Sequence, residues 1–327
     1  MILAGDIGGT KTNLALYSVE NDKLVPSVKN SFPSKNYPSL EAVLREFMTD
    51  SPEPVAAACF GVAGPVIDGT SKTPNLPWFL DAREIARCLD LDSVGLINDL
   101  EATGYGAATL DASEFFTLHA GRAEPHGAMG LIAAGTGLGE AMLCWKGQGY
   151  GVLASEGGHA DFAARTQLEI ELLAHLIDRF GHVSYERVVS GPGIFNIYSF
   201  LKDAKHLSEP AWLKERLAGG DPSAVISAAA LANEAEICVQ ALDIFVSCYG
   251  AEAGNLALRA RALGGIYVGG GIAPKILPKL NDGRFMRAFT DKGRYGEFLA
   301  RIPVHVIMNQ ETALRGAASC AAAQLKS

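Results

Sequence analysis

The sequence predicts an α/β chain of two domains, and three observations carry that prediction. Apolar runs in the first hundred or so residues fall in the order β-β-β-α-β-α-β. A strand, glycine turn and strand at the start recur roughly 130 residues further on, a spacing suited to a duplicated domain rather than a short solenoid repeat. At 327 residues the chain is long enough to bury two cores of ordinary size.

The elements follow in order. Residues 2–4, 13–19 and 24–32 are strand-like. Ser39 is placed to cap a helix that carries Leu40, Val43, Leu44 and Phe47 on one face. A strand at 55–60, a helix at 82–89, a strand at 94–97 and a helix at 100–108 complete the first set. The run "GLIAAGTGLGEAMLCW" at 130–145 repeats the grammar of "MILAGDIGGTKTNLALY". Helices are then expected at 166–180, 184–189 and 193–204, with one long stretch over 222–263. A strand at 265–268 runs into Gly269 to Gly271, with a helical segment from Pro274. A strand at 304–308 precedes an alanine-rich helix at 311–325. No linker-like stretch separates the halves, so a boundary near residue 110 rests on the repeat alone.

Composition excludes several classes. An apolar share of 48% with 20% charged residues describes a folded chain. The net charge of −8 argues against nucleic acid as the partner. No apolar run approaches the roughly 18 residues of a membrane span, and no secretory signal pattern is visible. Six cysteines (59, 88, 144, 238, 248 and 320) form no Cys-x-x-Cys pair. Most sit among apolar residues, as Cys144 does in "AMLCW", and read as reduced core residues of a cytoplasmic protein.

The opening turn "GDIGGTKT" comes within one residue of a P-loop, with Thr10 where the second glycine belongs. A P-loop leads into a helix, whereas the alternation from Asn13 to Val19 reads as a strand. That leaves a plain hairpin turn or a nest of N–H groups and hydroxyls from Gly8, Gly9 and Thr10 that suits phosphate, with Asp6 suited to hydrated Mg2+. Further glycine turns stand at Gly135-Thr136-Gly137-Leu138-Gly139, at Gly269 to Gly271 and at Ser190 to Gly193. Asn98 and Asp99 follow a strand, where α/β sheets bind ligands, and are equally a turn and N-cap pair. Glu156 and His159 flank two glycines, and the turn is a polar ligand site, a metal site or a surface turn. Zinc fits poorly there, since Glu-x-x-His alone supplies too few ligands. Glu186, in the first turn of the expected 184–189 helix, reads locally as a carboxylate that meets the helix dipole.

Taken together, "GDIGGT", "TPNLPW", "LINDLEA", "GTGLGEA", "EGGHADFA", "HVSYERVVSGPGIFNIY" and "YVGGGIAPKI" resemble, in order and spacing, the bacterial glucokinases of the hexokinase/actin-like ATPase superfamily. The resemblance covers almost the whole chain. It implies an actin-like ATPase fold, a duplicated ribonuclease H-like β-β-β-α-β-α-β core with the active site in the interdomain cleft. The implied domains are a small one of residues 1–109 plus 309–327 and a large one of 110–308 with helical insertions. By resemblance, Asp6, Gly8, Gly9 and Thr10 form the first phosphate loop and Gly135, Thr136, Gly137 and Gly139 the second. Gly191, Gly270 and Gly271 fall on the nucleotide side. Asp99 matches the catalytic aspartate, while Asn98, Glu156, His159 and Glu186 match sugar-hydroxyl ligands. Asn75 falls in a segment near the sugar. The implied activity is ATP- and Mg2+-dependent phosphorylation of glucose at the 6-hydroxyl by a cytoplasmic homodimer. The alternatives are a kinase for mannose or fructose and a sugar-sensing relative without catalysis.

Two departures refine the resemblance. Leu100-Glu101-Ala102 follows the Asn-Asp pair, where enterobacterial members tend to have Phe-Thr-Ala. The turn continues Thr10-Lys11-Thr12, as in the neighbouring ROK sugar kinases, but their Cys-x-Cys-Gly-x-x-Gly-Cys zinc motif is absent from the sequence. The non-zinc branch is therefore the one expected.

Overall fold

Alternation along the first strand sets the first layers. In the computed structural model, which describes every residue except 22, 51, 52, 74, 75, 326 and 327, β1 (Ile2–Ile7) sends Ile2 and Ala4 to one apolar cluster and Leu3 and Ile7 to another. A strand buried on both faces must do this, because successive side chains point to opposite sides.

The chain continues through β2 (Lys11–Glu20), β3 (Lys23–Pro33), α1 (Leu40–Asp50), β4 (Ala57–Val62), β5 (Thr70–Lys72), β6 (Phe79–Asp81), α2 (Ala82–Leu89), β7 (Gly95–Asn98) and α3 (Asp99–Ala107). It goes on through β8 (Phe115–His119), β9 (Met129–Ala134), β10 (Leu138–Trp145), β11 (Tyr150–Ser155), α4 (Gln167–Phe180), α5 (Gly191–Asp203), α6 (Ala211–Gly219), α7 (Pro222–Leu231) and α8 (Glu236–Ala260). The last elements are β12 (Gly265–Gly269), α9 (Leu277–Leu280), α10 (Arg284–Thr290), α11 (Gly296–Leu299), β13 (Val304–Ile307) and α12 (Thr312–Gln324). Two compact units result. One comprises Met1–Glu114, Lys146–Ala154 and Asn309–Ser327, the other Phe115–Trp145 and Ser155–Met308.

In the first unit the sheet order is β3-β2-β1-β4-β7. β1 and β2 pair antiparallel from Ile2↔Tyr17 to Ile7↔Thr12, and β4 then joins β1 in parallel. α1 and α2 cover one face with Val43, Leu44, Phe47 and Ile85. The other face takes α12, whose Leu314, Ala317, Ala318 and Ala321 pack with Ala102 of α3. Small residues let these helices approach closely: a Cβ on Gly106 would fall 1.9 Å from the Thr312 carbonyl oxygen.

The second sheet has the order β11-β10-β9-β12-β13-β8, and its β10-β9-β12-β13 run repeats the β2-β1-β4-β7 plan. An antiparallel hairpin comes first, β12 joins β9 in parallel, and β13 joins β12 in parallel. The core gathers on α8, with Phe245, Val246 and Tyr249 fully buried. Among the described residues, no single helix is long and apolar enough to cross a membrane.

Several sequence expectations change here. The 184–189 helix is a single 3-10 turn, Tyr185–Arg187, because Ser190 is extended and its Oγ accepts from the Gly193 N–H to start α5 afresh. The 222–263 stretch is two helices bent by 102°, broken where Asn233 adopts φ 55°, a left-handed conformation that asparagine tolerates. Helix 100–108 begins one residue earlier, so Asp99 is its first residue and Asn98 its cap. Cys144 is exposed rather than in the core, since strand alternation turns it outward, while Cys59, Cys238 and Cys248 are buried.

Candidate active site

The first unit holds two carboxylates, one near the end of β1 and one at the start of α3. Asp6, near the end of β1, is half-buried and accepts from Asn13 Nδ2 at 3.3 Å. Burial pushes its carboxyl above the usual range, against the pull of Asn13. Asp99 follows β7 and opens α3. Asn98 Oδ1 accepts from the Leu100 N–H at 2.8 Å, as does Asp99 Oδ1. The Asn98 amide also donates to the Gly64 carbonyl oxygen at 3.0 Å. The N-cap reading of Asn98 is thus realised, and its second N–H remains in the inventory for a ligand. Asp99 is exposed, yet surrounding protein raises its pKa by desolvation first and the Asp6 charge adds to this. The hydrogen bonds at Leu100 and Asn98 oppose the shift.

The loop Gly8-Gly9-Thr10 is a tight hairpin turn in which the Gly8 N–H donates to the Lys11 carbonyl oxygen at 2.9 Å. A strand follows it, so it is not a P-loop. Thr10 and Lys11 are both exposed. Asn75 lies outside the described residues.

In the second unit several of the glycine segments converge. The Gly135 N–H donates to the Gly137 carbonyl oxygen at 2.8 Å, and the Gly191 N–H, at the start of α5, donates to the Gly135 carbonyl oxygen at 2.8 Å. Gly270 lies against the end of β9, where a Cβ would sit 2.3 Å from the Ala134 carbonyl oxygen. Gly271 follows it in the same turn, whereas Gly139 is inside β10, opposite Ala133. Thr136 at the loop tip is exposed.

Glu186 is seated on this same loop. Its Oε2 accepts from the Leu138 N–H at 2.9 Å, and a Cβ on Gly137 would fall 2.5 Å from that oxygen. Glu156 and His159 bracket a 3-10 turn, Gly157–His159, with His159 Nε2 3.9 Å from Glu156 Oε2 and both side chains exposed. The two turns are laced together: the Tyr185 N–H donates to the Ala160 carbonyl oxygen at 2.9 Å and Phe162 N–H to Val183 at 3.0 Å. The paired glycines have a packing reason. Cβ atoms on Gly157 and Gly158 would lie 2.4 Å from Glu140 Oε2 and 2.0 Å from the Leu138 carbonyl oxygen. Only glycine lets the turn lie flat on β10.

Two supporting residues escaped the sequence reading. Ser34 Oγ, fully buried, donates to the Gly8 carbonyl oxygen at 2.8 Å and meets Thr12 Oγ1 at 3.0 Å. Tyr249, 115 residues from Ala134, accepts from its N–H at 3.2 Å and reaches the Ile132 and Gly269 carbonyl oxygens at 3.3 Å. It thereby ties together the strand ends from which the second loop and the Gly269 to Gly271 turn spring. No local pattern marks either residue.

The donor chemistry fits magnesium. Mg2+ keeps several waters and takes one or two carboxylates together with phosphate oxygens. Asp6, with the Asn13 amide beside it, offers one carboxylate of that kind. Among the described residues, no group of three or more His, Cys, Asp or Glu is placed to hold a metal ion.

The family model described as glucokinase matches residues 3–324. A glucokinase from Nostoc sp. is 44% identical, over 98% of this chain and 99% of its own. The crystal structure of a glucokinase from an Antarctic psychrotroph is 33% identical with a TM-score of 0.89, covering 98% of both chains. A ROK family glucokinase from Streptomyces griseus, solved with glucose and AMPPNP, shares the fold at 20% identity and a TM-score of 0.62, over 98% of this chain and 99% of its own.

Proposed function

The chain belongs to the glucokinase family, and from that premise we infer that it transfers the γ-phosphoryl group of ATP to the 6-hydroxyl of glucose, giving glucose 6-phosphate and ADP. Phosphoryl transfer asks a protein chiefly for positioning and charge stabilisation. In this reading Asp99 accepts the proton from the attacking hydroxyl. The observation that carries it is the carboxylate at the first position of α3, held by the Leu100 N–H and shifted upward in pKa by desolvation and by Asp6. An upward shift makes the carboxylate a stronger base than a free one.

The remaining polar groups take the sugar's other hydroxyls. Glu156 and Glu186 accept, the second N–H of Asn98 donates, and His159 does either through its two ring nitrogens. Asn75 joins them on the resemblance alone. Such partners reject a sugar with a missing or inverted hydroxyl, because they would be left unpaired. The Gly8-Gly9-Thr10 turn and the Gly135–Gly139 segment, closed on themselves by the Gly8 and Gly135 N–H groups, offer the N–H groups of their tips and the hydroxyls of Thr10 and Thr136 to the phosphates, with Gly191, Gly270 and Gly271 on the nucleotide side. Asp6 would hold Mg2+ through water, and the ion when bound supplies positive charge to the phosphates. The cytoplasm as compartment and the homodimer as assembly rest on the resemblance and the cysteine usage.

A coupled ADP-release assay over a panel of hexoses tests the reading. Turnover with glucose well above its C2 epimer and its ketose isomer is expected. Equal turnover of the epimer would overturn glucose selectivity, and no ADP release with any hexose would overturn the kinase itself.

A further inference from the structure

Beneath the Glu156–His159 turn lies a charged cluster that the reaction does not use. Glu140, on β10 one residue past Gly139, is fully buried. Its Oε2 takes a hydrogen bond from Arg259 Nη2 at 3.3 Å, while Oε1 is a buried oxygen with no hydrogen-bond partner among the described residues. Arg259 also binds Glu252, which is fully buried on α8. Asn255 Nδ2 donates to Glu252 Oε2 at 2.8 Å and to the Tyr185 hydroxyl at 3.0 Å, and Lys292 Nζ donates to Asn255 Oδ1 at 2.6 Å. One side of this cluster touches Gly157; Tyr185, the residue before Glu186, stands at the other. The Gly157 N–H also reaches the β10 backbone, through Ser155 Oγ at 3.2 Å and from there to the Glu140 main-chain carbonyl oxygen at 3.1 Å, a link independent of the Glu140 side chain.

We propose that Glu140 is a positioning residue for glucose binding, seating the Glu156–His159 turn on β10. The proposal rests on Glu156 and His159 being glucose ligands. Two buried carboxylates face a single guanidinium here, so one of them is accommodated best as the neutral acid. Burial, and then the Glu252 charge, push the Glu140 carboxyl up to about 8, with Arg259 pulling the other way. The charged and titratable groups around it are Glu252, Arg259 and Tyr249 from α8, Tyr185 from its 3-10 turn, Lys292, and Glu156 and His159 beside the turn itself. A neutral Glu140 can donate to Glu252 and leaves Gly157 lying on an uncharged group. Ionisation leaves two carboxylates sharing the Arg259 guanidinium, with charge directly under Gly157, and loosens the turn.

The test is the pH dependence of steady-state kinetics for wild type, Glu140→Gln and Glu140→Ala. In wild type the KM for glucose should rise about tenfold per pH unit above the titration, with the KM for ATP and kcat at saturating glucose flat. Glu140→Gln keeps the shape without the charge, so its glucose KM should stay within about twofold of wild type at neutral pH and lose the alkaline rise. Glu140→Ala should raise the glucose KM about tenfold at every pH. If the alanine variant fails to fold, the wild-type and glutamine profiles decide alone. An alkaline rise shared by Glu140→Gln, or no rise in wild type, overturns the proposal. Parallel Glu156→Gln and His159→Ala variants separate the two failures: normal glucose KM in both would sink the sugar-site reading, whereas raised KM there with a silent Glu140 sinks only this inference.

Discussion

Both units start their sheets with an antiparallel hairpin closed by a short loop, Gly8-Gly9-Thr10 in one and Gly135-Thr136-Gly137 in the other. The backbone plan is shared, and each loop begins with a glycine N–H turned back on the loop's own far side. Their supports differ. The first loop is held from behind by a neutral hydroxyl, Ser34. The second is held by a carboxylate, Glu186, by the Gly191 N–H and, through the strand end, by the Tyr249 hydroxyl. A duplicated scaffold has therefore been finished with different chemistry. In the proposed function the second loop shares a residue with the sugar ligands, and the first does not.

The sharpest way to break that contrast is Asp99→Asn, which removes the proposed base from the first unit without touching the second. Turnover should fall by about 10²–10⁴ while glucose binding by calorimetry persists. Near-normal turnover would refute Asp99 as the base, and lost glucose binding would refute the division of labour. The same variant carries a stability signature. The fold raises the Asp99 pKa above the ordinary 3.8, so its contribution is complete below that ordinary value and is lost as pH rises through the folded one. The asparagine variant should thus melt higher than wild type at neutral pH, and the difference should close in acid.

Next in size is Gly137→Ala. Its methyl would stand 2.5 Å from Glu186 Oε2 and push that carboxylate off the loop, so the glucose and ATP KM values should rise together, each by about tenfold for the loss of a charge-assisted hydrogen bond. A change in the ATP value alone would show that Glu186 takes no part in sugar binding. Tyr249→Phe should follow, raising the ATP KM severalfold and lowering Tm, since two strand ends lose a common hydroxyl worth about 1 kcal/mol. The smallest effect is expected from Ser34→Ala, with a severalfold rise in ATP KM and an unchanged glucose KM. A glucose effect as large as that of Gly137→Ala would erase the distinction between the loops.

The order of strands and the glycine loops was legible because both are local. Val43, Leu44 and Phe47 recur at helical spacing, and α2 lies where its pattern put it, from Ala82 to Leu89. The repeat of strand, glycine turn and strand also survives as matching sheet orders. The glycines of "EGGH" were visible but their reason was not. They fit the turn against Leu138 and Glu140, a contact about which neighbouring residues carry no information. The break at Asn233 and the short turn at Tyr185–Arg187 were missed because apolar periodicity runs on across both.

The sequence by itself determined the fold class, the two glycine hairpins and the residue types available for phosphate and sugar, since strand alternation, turn chemistry and motif order are properties of neighbours along the chain. Only the tertiary structure decided which groups support them. Tyr249 beneath the second loop and Ser34 beneath the first act across long sequence separations, and the Glu140–Glu252–Arg259 cluster comes together from β10 and α8. Burial and desolvation, which set the value of each of these contacts, are produced by packing and cannot be read from any single stretch of residues.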